Sequence, residues 1–153
     1  MIVALDSEAF NVLAGRSSVG KQRVRRIMRS AERLGREVLV PSLVLAELYR
    51  GHGHNQLVDA CLARERASLD TRDTDRHLAR IVGGVLAAAR AGSEMIVDAH
   101  VVAVAVEAGG GVLVSGDEGD LSRLSAPYHH VAVESLRDKN STSVWCRVKP
   151  SLW

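Results

Sequence analysis

Four acidic residues, Asp6, Glu47, Asp98 and Asp117, stand far apart in this chain, each where a strand ends or a helix begins. Asp6 closes the apolar run Ile2-Val3-Ala4-Leu5, and Asp117 follows Val112-Leu113-Val114-Ser115-Gly116. Glu47 interrupts the otherwise uncharged stretch Pro41 to Leu48, and Asp98 sits between Met95-Ile96-Val97 and a second apolar run. A charge embedded in an apolar segment is costly unless something pairs with it. A divalent cation shared by the four carboxylates would meet that cost. Hard oxygen donors suit Mg²⁺ or Mn²⁺, and a cation held this way can activate a water for in-line attack on phosphorus. Taken singly, Asp6 also reads as a helix cap, Asp98 as a first-turn helix residue and Asp117 as a turn residue. Glu47 is hardest to explain as structure, because only Arg50 offers it a basic partner at helical spacing.

Other catalytic arrangements find no support. There is no G-x-S-x-G elbow and no G-x-x-x-x-G-K-[ST] loop, and Gly109-Gly110-Gly111 does not fit G-x-G-x-x-G. His52, His54, His129 and His130 lack partners at zinc-finger spacing and read as surface or cap residues. Cys61 and Cys146 show no C-x-x-C spacing, which suits a reducing cytoplasm.

The elements that must position the acids follow from periodicity. The 153 residues suit one domain, 46% hydrophobic and 25% charged, and 3% aromatic content means a core of Val, Leu, Ile and Ala. Residues 2–6 read as a buried strand, with Ser7 as cap of a helix that runs to Ala14. Residues 18–34 form a basic amphipathic helix. Between Arg16 and Arg36 stand eight basic residues against one acid, Glu32, despite a net charge of only +2. Arg16, Lys21, Arg25 and Arg29 make that helix a candidate surface for RNA phosphates or an acidic partner, or simply a solvated face.

Val38-Leu39-Val40 reads as a second strand, and Pro41-Ser42 begin a helix running to Gly51. Further helices are expected over Leu57 to Arg66 and Thr74 to Ala91. Residues 96–107 mix Val and Ala but exceed a typical strand in length, so they read as a buried helix. Val112 to Ser115 and Val131 to Val133 supply two more strands, with a short helix from Gly119 to Leu124 between them. The alternation predicts an α/β fold with a parallel sheet, and a site beyond the carboxyl ends of its strands. The opening apolar run stops at Asp6, too short for a secretory signal, and no stretch approaches the ~18 apolar residues of a membrane span. A soluble cytoplasmic protein is expected. From Asp138 the character changes to a polar stretch with both tryptophans near the end, a tail left out of fold reasoning.

The segments Val3-Ala4-Leu5-Asp6-Ser7, Pro41 to Gly51, Val97-Asp98-Ala99 and Leu113 to Leu121 stand in an order and spacing that resembles the PIN-domain ribonucleases. The likeness is greatest to the VapC-like toxins of VapBC toxin–antitoxin pairs, and it covers residues 1–137. It implies a three-layer, Rossmann-like α/β/α domain that cuts RNA with Mg²⁺ or Mn²⁺. It further implies Asp6, Glu47, Asp98 and Asp117 as the catalytic acids, with Asp6, Asp98 and Asp117 on the metal. Ser7, Ser115 and Asp120 would support them. A homodimer, a VapB-like antitoxin whose tail blocks the site, and a heterotetramer or larger assembly also belong to that expectation. Two positions depart from the family's pattern: Glu8 stands where a small polar residue is more usual, and Gly116 where a bulkier one is common.

The leading expectation is therefore a metal-dependent endoribonuclease toxin. The alternative is a catalytically silent PIN-like module that binds RNA or protein. A third reading, an enzyme of this fold acting on DNA or in RNA maturation, is disfavoured by the short chain.

Overall fold

The structure is a computed structural model and describes residues 1–137. The tail from Asp138 onward, with Cys146, lies outside the described residues. Five strands, β1 (Ile2–Leu5), β2 (Val38–Pro41), β3 (Asp70–Arg72), β4 (Gly111–Ser115) and β5 (Val131–Ser135), pair throughout in parallel in the order β3-β2-β1-β4-β5. Helices α1 (Ser7–Ala14), α2 (Val19–Arg33), α3 (Ser42–Leu48), α4 (His52–Glu65), α5 (Arg76–Ala89), α6 (Ile96–Glu107) and α7 (Gly119–Ser125) flank the sheet. The result is the three-layer α/β/α fold that the alternating pattern predicted.

The topology decides where a site can form. The chain builds outward from β1 through β2 to β3, then returns to the other side of β1 as β4 and moves outward again to β5. The chain leaves β1 toward β2 and leaves β4 toward β5, in opposite directions, so the loops after these neighbouring strands part and open a crevice at their carboxyl ends. Leu5 pairs with Val114 at that end, and the Asp6 amide donates to the Val114 carbonyl at 3.1 Å. Asp6 and Ser115 are thereby side by side.

Burial explains the composition of each element. β1 is buried at all four positions and β4 at all five, as expected of strands covered on both faces. Residues 96–107 are helical, as their length suggested. From Ala99 to Ala105 every residue of α6 is buried, which is how a helix apolar all round is accommodated. It packs against β1, β2, β4 and β5 and against α3, α5 and α7. The first turn of this central helix carries Asp98, so the helix that organises the core also aims that carboxylate at the sheet edge.

Several boundaries differ from expectation. Asp6, not Ser7, caps α1, its Oδ1 accepting from the Ala9 amide at 2.8 Å. The helix from Ser42 stops at Leu48 rather than Gly51, because the chain turns at Gly51 with φ of 111°, a conformation that favours glycine. The next helix begins at His52, five residues before the apolar signal at Leu57, and the His54 ring bonds the Leu48 carbonyl left open by that stop.

A fifth strand was not expected at all. Asp70-Thr71-Arg72 is polar, yet it pairs with β2 from Leu39 to Pro41. Arg72 anchors it: its Nη2 lies 2.6 Å from Glu107 Oε1 and 3.0 Å from Asp75 Oδ2, and its Nε donates to Glu107 Oε2 at 2.9 Å. These partners raise the guanidinium pKa further above its ordinary value. A two-pronged carboxylate contact is worth more than a simple surface pair. Arg72→Ala is expected to lower stability by about 1–3 kcal/mol, and Arg72→Lys to recover only part of it, since lysine cannot reproduce the fork. Urea unfolding of the three proteins checks this, and full recovery by lysine would show that the fork geometry is irrelevant.

Candidate functional site

Six carboxylates gather around the crevice, and each is brought there by a different local cause. Asp6 ends β1 and caps α1, so one of its oxygens is committed to the Ala9 amide and lone pairs remain for a second partner. Asp98 lies in the first turn of α6, whose N-cap residue Met95 supplies no side-chain hydrogen bond. Asp117 follows β4 in a tight turn. The Ser115 hydroxyl accepts from the Asp117 amide at 2.9 Å and donates to its carbonyl at 2.6 Å, while Asp117 Oδ1 accepts from the Gly119 amide at 3.2 Å. Asp120 opens α7. Glu47 is carried on α3 and accepts a hydrogen bond from the Ser7 hydroxyl. Glu8, in the first turn of α1, is the sixth.

Their electrostatics are coupled. Asp6 is 7% exposed, and its pKa is pushed up to about 6. Desolvation is the main cause, with Glu8 and Asp98 adding repulsion, opposed by hydrogen bonds from the Ala9 amide and the Ser115 side chain. Ser115 has one proton and two acceptors, the Asp117 carbonyl and the Asp6 carboxylate, which ties the ends of β1 and β4 together chemically. Asp98, half-buried, is also pushed up to about 6. Desolvation again leads, followed by the charges of Asp120, Glu47, Asp117 and Glu8. Asp98 thus feels three of the acids named from sequence together with Glu8.

The premise that all four acids are buried does not hold. Asp6 is buried and Asp98 half-buried, but Glu47 and Asp117 are exposed. In α3 the buried face is Val44, Leu45 and Leu48, and Glu47 stands exposed at its margin. An apolar run containing one charge therefore meant an amphipathic helix, not a buried charge. Arg50 does not neutralise it, bonding instead to the carbonyls of Ala46 and Tyr49.

The donor set is all oxygen, which fits a hard divalent cation. Among the described residues, however, no group of three or more His, Cys, Asp or Glu side chains is preassembled to hold a metal ion. The two observations are compatible, because charges interact over distances longer than a coordination bond and like charges splay when nothing neutralises them. Among the described residues, the one ion pair made by any of the six is Glu8 with Arg137, at 3.7 Å.

The basic residues proposed for contact lie on α2 and its approach. Lys21 Nζ donates to the Gly15 carbonyl at 2.8 Å and Arg25 pairs with Glu65 at 3.2 Å, while Arg16 and Arg29 are exposed. Arg25 and Arg29, with Arg64, line a cavity of about 260 Å³ between α2 and α4. His129 and His130 lie at the opposite end of the sheet, where the His130 carbonyl accepts from the Gly111 amide. Glu8 was not among the expected site residues.

No protein-family model matches this chain, and no curated protein matches it. Among solved structures, the crystal structure of VapBC2 from Rickettsia felis bound to a DNA fragment from their promoter contains a similar chain. The two are 16% identical with a TM-score of 0.60, over 88% of this chain and 98% of the other. The likeness establishes a shared, PIN-like fold. Among the described residues no helix is long and apolar enough to cross a membrane.

The raised carboxylates bear on stability. A folded-state pKa near 6 against 3.8 for the ordinary group means that the folded metal-free protein binds protons more tightly than the unfolded chain. That contribution is present below about pH 4 and is lost as pH rises to about 6. Asp98→Asn removes the titration. In chelator-treated protein it should match wild type near pH 4 and exceed it by about 1–2 kcal/mol at pH 7. Urea unfolding across that range tests it, and a gap independent of pH would exclude Asp98 as a strained carboxylate.

Proposed function

We propose that this protein is a divalent-cation-dependent endoribonuclease and the toxin of a type II toxin–antitoxin pair. The observation that carries the reading is the convergence on Asp98 of the fields of Asp120, Glu47, Asp117 and Glu8, beside the buried Asp6, in the crevice between β1 and β4. Carboxylates that sense one another's charge, with the loose Glu8–Arg137 contact as their one ion pair among the described residues, fit a cation site. Asp6, Asp98 and Asp117 would hold Mg²⁺ or Mn²⁺, which when bound supplies charge neutralisation and an activated water for attack on a phosphodiester. The chain's own residues prepare for this. The α1 cap fixes the rotamer of Asp6, Ser115 bridges Asp6 and the Asp117 turn, and Ser7 orients Glu47 from across the crevice.

The toxin assignment draws on the fold shared with a chain of the VapBC2 complex and on the order of the acidic segments. An antitoxin would then occupy or cover the crevice, and the arginine-rich α2 would meet RNA phosphates or an acidic antitoxin segment. A cytoplasmic homodimer, assembling further with the antitoxin, belongs to the same reading. The silent-module alternative draws on one observation, the lack of a preassembled ligand set among the described residues.

One assay separates the two. Purified protein incubated with total RNA and Mn²⁺ or Mg²⁺ should yield discrete cleavage products, lost on chelation. Asp6→Asn and Asp98→Asn should each lower the cleavage rate by roughly 100-fold or more, since even outer-shell changes at metal sites cost up to about that. Cleavage that survives both substitutions, or that is absent from wild type with either ion, would leave the binding module as the better account.

A further inference from the structure

The two positions that depart from the family's pattern touch each other. Glu8 lies in the first turn of α1, two residues beyond Asp6, and Gly116 lies between Ser115 and Asp117. A Cβ placed on Gly116 would stand 1.8 Å from Glu8 Oε2, 2.9 Å from its Cδ and 3.1 Å from its Cβ. Gly116 does not have a positive φ, so nothing in its backbone conformation calls for glycine. Its lack of a side chain matters for space alone, and the Glu8 carboxylate fills that space.

This seat puts the Glu8 carboxylate against the turn that carries Asp117 and within the field of both Asp6 and Asp98. The ordinary account of a first-turn glutamate is favourable interaction with the helix N-terminus. That account is silent on Gly116, whereas in the observed packing the Glu8 carboxylate occupies the space a side chain there would take. Beyond Ser135 the chain continues past the same edge, with the Leu136 amide on the Ser115 carbonyl at 2.8 Å, and brings Arg137 to Glu8. At 3.7 Å, with the Arg137 side chain 73% exposed, this is a loose pair that costs little to break.

We propose that Glu8 is an additional acid of the cation site, admitted by Gly116, and that Arg137 is the exchangeable counter-ion a divalent cation displaces. The inference rests on the cation-site reading given under Proposed function. It makes Glu8 and Gly116 one unit: the glycine clears the volume and the glutamate supplies the donor. Arg137 then competes with the metal for the same carboxylate, holding the charge while the crevice is metal-free.

Mn²⁺ affinity, read from the free-ion electron paramagnetic resonance signal during titration of the full chain, tests this without reference to cleavage. Glu8→Gln keeps the shape and should weaken Mn²⁺ binding by about tenfold, within the range that loss of a supporting group produces at metal sites. Gly116→Ala should reproduce that loss, because the first atom it meets is the end of a flexible side chain and the carboxylate will be pushed out. Arg137→Ala should tighten binding. Circular dichroism and thermal unfolding confirm that each variant folds. Wild-type affinity in both Glu8→Gln and Gly116→Ala, with Asp6→Asn abolishing binding, would overturn the role of Glu8 and leave the cation site standing. Unchanged binding in Asp6→Asn would overturn the cation site and the Glu8 assignment with it.

Discussion

Everything at this sheet edge depends on the placement of one carboxylate, Asp6, where water is largely excluded. A desolvated acid surrounded by like charges is unfavourable, and hydrogen bonds from the Ala9 amide and Ser115 oppose only part of that cost. Among the described residues, no guanidinium or ammonium forms an ion pair with Asp6 to finish the neutralisation. The repulsion is instead distributed over residues from β1, α1, α3, α6, β4 and α7, which meet only because the sheet changes winding direction at β1. Topology creates the crevice, and the charges define what the crevice can accept.

The scaffold is built to resist that repulsion. β1 and β4 are covered on both faces, and α6, buried from Ala99 to Ala105, is embedded in the core with Asp98 on its first turn. An acid on a surface loop would move away from its neighbours. Asp6 and Asp98, on the ends of buried elements, cannot move far without unpacking Val, Leu and Ala side chains, and burial of each such side chain contributes about 1–3 kcal/mol. The core thus maintains an arrangement that electrostatics alone would disperse.

Much of this was legible in the sequence, for identifiable reasons. Parallel strands covered on both faces appear as unbroken apolar runs, so β1, β2 and β4 stood out, and Asp6 and Asp117 marked their ends. α6 was separable from a strand by length. β3 was not legible, because three polar residues at a sheet edge carry no hydrophobic period and are held by Arg72 reaching Glu107, a contact 35 residues away in sequence. The start of α4 was missed because His52-Gly53-His54 carries no apolar period. Glu47 was hard to explain as structure from the sequence because a seven-residue helix shows too little of its period to reveal that this position is exposed. Glu8 and Gly116 stood out separately in the sequence, but neither residue alone reveals that the glutamate packs on the glycine.

The charge distribution also bears on which function the fold serves. Carboxylates raised by burial, with the repulsion of their neighbours added, lower the stability of the folded chain near neutral pH, and a purely structural or binding role gives no reason for them. Replacing Asp98 by asparagine would relieve the strain with almost no change in shape. Active sites characteristically retain such destabilising groups, because stability and activity place opposed demands on the same residues. Glu8 sharpens the point. Its carboxylate lies within the field of Asp6 and Asp98, in the space a side chain on Gly116 would take. A surface that merely docked RNA would repel the phosphates with every added carboxylate. A divalent cation held by Asp6, Asp98 and Asp117 would instead turn the same excess of negative charge into affinity for the ion, and would offset the repulsion of a phosphodiester.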